Sequence, residues 1–151
     1  MSKNAYIVLF LLFSFQVSSN DISIEIDISE QRLYLIQNNS IQSSYPVSTS
    51  KYGEGSIENS FKTPLGHHIV KEKIGEGALI NTIFKSRINT RRSAEIIEEY
   101  EDSDDDFVTS RIMWLDGQEE GINKGGMVDS YKRYIYIHGT NEENLLGQPS
   151  S

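Results

Sequence analysis

The strongest constraint on this chain is a two-residue rhythm of apolar side chains. It recurs in short runs that glycine, asparagine and proline interrupt. Ile22, Ile24, Ile26 and Ile28 alternate with Ser23, Glu25 and Asp27. Alternate side chains of an extended strand point to opposite faces, so this run reads as a strand buried on one side. Residues 31–37, rich in Leu, Tyr and Ile, follow a short polar break, and Asn38-Asn39-Ser40 supplies turn chemistry. Together they predict a hairpin and then a third strand near residues 43–49. The Asn38-Asn39-Ser40 triplet also fits a glycosylation acceptor, but its place between two strand-like runs favours the turn.

Similar signals continue along the chain. Residues 51–60 are mostly polar with two glycines and read as a loop. Thr63-Pro64-Leu65-Gly66 puts Pro and Gly where a type I turn takes them. Residues 67–74 read as a strand that Gly75 and Gly77 end. Residues 78–87 are compatible with strand or helix. Residues 111–115 form a short strand around Trp114, the single tryptophan, and residues 116–128 are a glycine-rich loop. Residues 133–138 are the clearest strand, with Tyr134, Tyr136 and His138 on one face and Ile135 and Ile137 on the other. Thr140 and Glu143 have capping-box spacing for one helical turn that Gly147 can end. Many short strands with glycine-rich connections predict a mainly β domain with few short helices.

Length and charge bound the function. A chain of 151 residues suffices for one domain with one core. The net charge is −8 and the basic residues are scattered, which excludes a nucleic-acid partner, since that needs a basic patch. Residues 1–19 read as a signal peptide, with Lys3 at the start, an apolar run over residues 5–13, and Val17-Ser18-Ser19 as small residues for cleavage. The apolar run falls short of the roughly 20 residues of a membrane span. An uncleaved N-terminal anchor is the alternative, and without a cysteine after the run a lipoprotein anchor is excluded. The expected location is therefore the periplasm or cell envelope, with residues 20–151 as the mature domain. With no cysteine, that domain must hold together by packing alone.

Two clusters invite functional readings. Glu95, Glu98, Glu99, Glu101, Asp102, Asp104, Asp105 and Asp106 crowd residues 93–106. Asp104-Asp105-Asp106 lacks the glycine and closing glutamate of a calcium loop. The segment reads as a solvated surface insertion, helical near residues 94–100, rather than a cation site or docking patch. His67 and His68 are adjacent, so on a strand they face opposite ways and do not share one metal ion. No metal and no cofactor are expected.

The segments, taken in order, resemble the catalytic domain of the L,D-transpeptidases, the YkuD family. Residues 24–36 are similar to that family's opening hairpin, and Thr63-Pro64-Leu65-Gly66 to its Thr-Pro-x-Gly element. Lys73-Ile74-Gly75-Glu76-Gly77-Ala78, Ile83-Phe84-Lys85 and Arg111-Ile112-Met113-Trp114-Leu115-Asp116-Gly117 resemble a Gram-negative branch. Tyr134-Ile135-Tyr136-Ile137-His138-Gly139-Thr140 is the most specific match. The resemblance implies a β-sandwich of mixed sheets. It also implies a cysteine acyltransferase that acts on peptidoglycan stem peptides: a thiolate attacks the carbonyl of the L-centre of the third residue, D-Ala leaves, and a side-chain amine of a second stem resolves the thioester. Some members pass the acyl group to a lipoprotein lysine or to water. The family's Ser/Thr-His-Gly-Cys motif would open at Ser151, so the resemblance implies that the last core strand and the nucleophile are missing from these 151 residues.

The chemistry explains the site residues. A thiol of pKa about 8.5 is mostly protonated at neutral pH and needs a base. His138 stands at the position of that base, and the Gly139 carbonyl would orient its ring, a backbone oxygen replacing the carboxylate of a triad. Tyr134, Tyr136, Thr140 and Ser151 are the expected substrate-binding residues. Ser150 or Ser151 is a poor substitute nucleophile, since serine needs stronger activation than cysteine. Three readings follow. One is an L,D-transpeptidase whose 151-residue form is inactive. A second is a peptidoglycan-binding module without chemistry. A third, weaker reading is a hydrolase that uses the acidic insertion, where nothing positions the carboxylates.

Overall fold

The structure is a computed structural model that describes residues 21–99 and 106–150. The first sheet is an antiparallel meander of β1 (Ile22–Asp27), β2 (Arg32–Gln37) and β3 (Ser40–Pro46). Asn38 and Asn39 both hold positive φ, 50° and 60°, the geometry of a two-residue type I′ hairpin turn. Asparagine tolerates that region because its short amide can bond locally. A two-residue turn lets pairing resume at once, with Gln37 opposite Ser40. That is why β3 starts earlier than the expected residue 43.

The second sheet contains β4 (His68–Ile74), β5 (Thr82–Lys85), β6 (Ile88–Ser93), β7 (Val108–Gly117) and β8 (Tyr136–Gly139). Its order is β4-β7-β5-β6, with β8 also on β7. Ile112 pairs with Ile74 of β4 and with His138 of β8, and Thr109 pairs with Ile83 of β5 and Gly139 of β8. A strand has two edges, so β4 and β5 lie end to end along one edge of β7 and β8 takes the other. These ladders are antiparallel. Parallel pairing occurs as single bridges, among them Ser50 to Ser150.

The expected mainly β architecture is what the structure shows, with further local differences. Residues 78–87, ambiguous in sequence, are a turn followed by β5 and the Ser86-Arg87 turn into β6. Strand β7 has ten residues rather than five, because a bulge at Ser110 (φ 60°) lets it follow two neighbours in succession. Strand β8 starts at Tyr136, not at residue 133. Tyr134 has φ 59° and closes a turn in which Arg133 and Ile135 donate to the carbonyls of Asp129 and Ser130. Residues 94–99 hold no helix. They run as a connection in which Ala94 donates to the Asn81 carbonyl and Ile97 to the Asn141 carbonyl. Residues 100–105 of the acidic insertion, the last residue of the expected helix among them, lie outside the described residues, as do the signal peptide and Ser151.

The tight core is one face of the second sheet. Phe84, Ile112 and Trp114 are buried together, with Ile74, Ala78, Val108, Tyr131 and Tyr136 packed around them. The opposite face carries Val70, Met113, Leu115, Ile135 and Ile137. It looks across a cavity of about 1230 Å³ towards Ile22, Ile24, Ile26 and Leu35 of the first sheet. The two sheets face each other across this space, which stays open: Ile22 keeps 62% of its surface exposed, whereas Ile112 keeps 1%. Burial scales with apolar area removed from water, so the two isoleucines contribute unequally. Ile112→Ala is expected to cost about 3 kcal/mol and Ile22→Ala under ~1 kcal/mol, read as shifts in the urea midpoint at unchanged m.

Candidate active site

His138 is the third residue of β8, opposite Ile112 in the ladder. Directly opposed residues share a face, so its imidazole rises beside Tyr136 on the Ile112–Trp114 face, where it is exposed. Its Nδ1 lies 2.8 Å from the carbonyl oxygen of Gly139. A carbonyl only accepts, so Nδ1 carries the proton and donates, and the neutral ring keeps its lone pair on Nε2. The strand fixes the Cα–Cβ direction and the neighbouring carbonyl fixes the ring. The result is an outward-facing base held in one tautomer.

Gly139 makes that arrangement possible. A Cβ there would come within 2.9 Å of Thr109 Oγ1 and 3.0 Å of the Thr109 carbonyl oxygen. Strand β8 therefore approaches the β7 bulge closely, at the residue whose carbonyl holds His138. Ser110 turns its hydroxyl to accept the Asn81 N–H at 2.9 Å, pinning the bulge. Thr140 Oγ1 accepts the Glu142 N–H at 3.0 Å. The expected capping box does not form, because the helical turn is only Glu143–Leu145 with Glu142 at its N-cap. Gly147, at φ 95°, ends this turn as expected, and its N–H donates to the Val47 carbonyl.

An aromatic layer lies beside His138. Tyr131 stacks on Trp114 at 4.1 Å between ring centres, and Tyr136 meets Trp114 edge-on at 5.6 Å. Lys71 Nζ lies 3.9 Å from the Tyr131 ring, and the Arg87 guanidinium lies 4.9 Å from the Trp114 ring and 4.8 Å from the Tyr134 ring. Arg87 also donates to the Tyr136 hydroxyl at 3.1 Å, and this bond holds its pKa above the ordinary arginine value. Tyr131 donates its hydroxyl to Glu72, which raises the phenol pKa. Trp114 Nε1 donates to the Tyr131 carbonyl at 3.0 Å, so the indole has its polar partner.

Loops frame this layer. Arg133 donates to the Lys62 carbonyl at 2.8 Å and ties residues 55–62 to the turn before β8. Partial burial lowers its pKa. Asp129 accepts N–H groups of Lys132 and Gly125, and the Lys132 bond leads in holding its carboxyl below the ordinary value.

The structure thus brings His138, Gly139, Thr140, Tyr134 and Tyr136 into one region, with Tyr134 arriving from a turn rather than from the strand. His68 is used internally: Nδ1 lies 2.9 Å from the Gly66 carbonyl and Nε2 lies 2.8 Å from the hydroxyl of buried Ser130. Among the described residues no group of three metal-binding side chains occurs. Sequence reasoning missed Arg87, Tyr131 and Lys71. The available signal was a two-residue gap between Lys85 and Ile88, which carries no glycine to mark it.

A family model, the L,D-transpeptidase catalytic domain (YkuD), matches residues 21–151. The chain belongs to the L,D-transpeptidase family. Comparison with curated proteins and with solved structures found no match.

Three outcomes follow from the geometry. Imidazole ¹⁵N shifts of the neutral His138 ring are expected to show a protonated Nδ1 and a bare Nε2; the reverse pattern contradicts the orientation. Gly139→Ala is expected to destabilise by about 1–3 kcal/mol through overpacking against Thr109 and to alter those shifts. Asp129, with a lowered folded pKa, contributes stability that is complete above the ordinary carboxylate value of about 3.9 and disappears as pH falls through the folded value. Asp129→Asn should therefore be less stable than the parent at pH 7, with the gap narrowing below pH 4 in urea titrations.

Proposed function

We propose that this protein is exported to the cell envelope and serves peptidoglycan cross-linking, recognising stem peptides at the His138 face. The observation that carries the reading is the His138 Nδ1–Gly139 carbonyl bond, which leaves Nε2 bare on an exposed face beside Tyr136. In the family reaction, such a base takes the thiol proton as sulfur attacks the third-residue carbonyl. It then returns the proton to the amine of the departing D-Ala. A free base again, it would accept a proton from the amine that attacks the thioester. The acyl acceptor is a second stem peptide or, in a related role, a lipoprotein lysine.

These 151 residues contain no cysteine, and hence no thiolate to be acylated. The 151-residue polypeptide is accordingly proposed to bind stem peptide without turning it over. Chemistry and recognition are separable by experiment. Incubation with a carbapenem followed by intact-mass measurement is expected to show no adduct, and an adduct would refute the inactivity. Sedimentation with purified sacculi is expected to retain the protein, with retention reduced by Tyr136→Ala. Failure of the parent chain to sediment would remove the stem-peptide reading.

A further inference from the structure

We propose that Arg87 is a substrate-recognition residue of the His138 site, holding the terminal carboxylate of the peptide whose last residue is the leaving group. The inference rests on the stem-peptide reading and adds a specificity element to it.

Arg87 occupies the tip of the β5–β6 hairpin, where Ser86 and Arg87 hold φ values of 48° and 69°. Both central positions of such a turn favour Gly, Asn or Asp, and a longer side chain there is held in a strained backbone region. The chain carries an arginine at the second of them, and that arginine reaches across the sheet. Its guanidinium lies over Trp114 and Tyr134 and donates one hydrogen bond, to the Tyr136 hydroxyl. Among the described residues, no carboxylate lies within ion-pair distance of it. A guanidinium has five N–H donors in a rigid planar fork, so the described residues leave most of its capacity for a carboxylate unused.

The location matches the chemistry. Tyr136 and His138 are two residues apart on one face of β8, a Cα spacing of about 6.7 Å. Arg87 is bonded to the first of this pair, and the second carries the bare Nε2. In the donor peptide the terminal carboxylate lies one residue beyond the carbonyl under attack. That Cα spacing equals the rise of two residues of extended peptide, enough to hold both the attacked carbonyl and the terminal carboxylate. The aromatic layer holds Arg87 in place without neutralising it, since a ring face attracts a cation but leaves its charge intact.

Trp114 is the single tryptophan and lies directly under Arg87, so its fluorescence reports occupancy of this spot. The test titrates the 151-residue chain with a stem tetrapeptide ending in D-Ala, as the free acid and as the C-terminal amide. Calorimetry supplies a second readout. The parent is expected to bind the acid about tenfold more tightly than the amide, the order of one charge-assisted bidentate contact. Arg87→Met should abolish that preference while leaving amide affinity in place. Arg87→Gly, which relaxes the turn, should do the same without endangering the fold. Arg87→Lys should recover only part of the preference, lacking the planar fork. If Arg87→Met and Arg87→Gly keep the preference, or if the parent binds acid and amide equally, Arg87 does not read the carboxylate, although the stem-peptide reading stands. If the parent binds neither form, both fall together.

Discussion

Strand β7 is the constraint on which the rest depends. It pairs with β4 and β5 along one edge and with β8 along the other, so the second sheet is assembled around it. Its side chains serve two environments. Ile112 and Trp114 build the tight core, while Met113 and Leu115 face the cavity below the first sheet. The bulge at Ser110 changes the register of the strand by adding residues on one side. Without it, the register that puts Ile112 opposite His138 and the one that puts Thr109 opposite Gly139 could not coexist.

The site inherits its geometry from that strand. His138 is not positioned by a carboxylate. It is positioned by ladder pairing and by the carbonyl next to it in the chain, which are rigid backbone features. Rigid support suits a base that must be neutral and correctly oriented before substrate arrives. The neighbouring aromatic layer is held by the same device: Trp114 comes from β7, Tyr136 from β8, and Arg87 from the hairpin that starts at β5. A substitution that moves β7 would therefore disturb base, aromatic layer and cation together. The cavity-facing isoleucines of β1 lie on the loosely closed side, which leaves the site face less dependent on them.

Much of this was legible in the chain. Alternation located β1 and β2 as strands, although the face of β1 expected to be buried stays exposed at Ile22, Ile24 and Ile26 because the first sheet does not close onto the second, and Asn38-Asn39 marked the turn because asparagine tolerates positive φ. The Tyr-Ile-Tyr-Ile-His-Gly run located His138 and the Gly139 carbonyl that meets its ring. Legibility stopped where the deciding contact is distant in sequence. The Ser86-Arg87 turn has no glycine, and the partners that hold it, Trp114 and Tyr136, lie far along the chain. Tyr134 fits the strand alternation yet turns out of it, because Asp129 and Ser130 capture the backbone first. The carboxylate-rich stretch looked helical by composition, but residues 94–99 bond instead to the Asn81 and Asn141 carbonyls.

The sequence by itself determined the β character, the hairpin that opens the domain and the adjacency of His138 to Gly139, because these follow from local periodicity, turn chemistry and a short contiguous motif. It determined too that these 151 residues offer no thiol. Only the tertiary structure decided the order of strands around β7, the bulge that sets two registers at once, and the meeting of Arg87 with Trp114 and the tyrosines. Those depend on which distant backbone groups pair and which rings stack. Such choices are settled by the closing of long loops and the packing of whole faces, and no local pattern of residues encodes them.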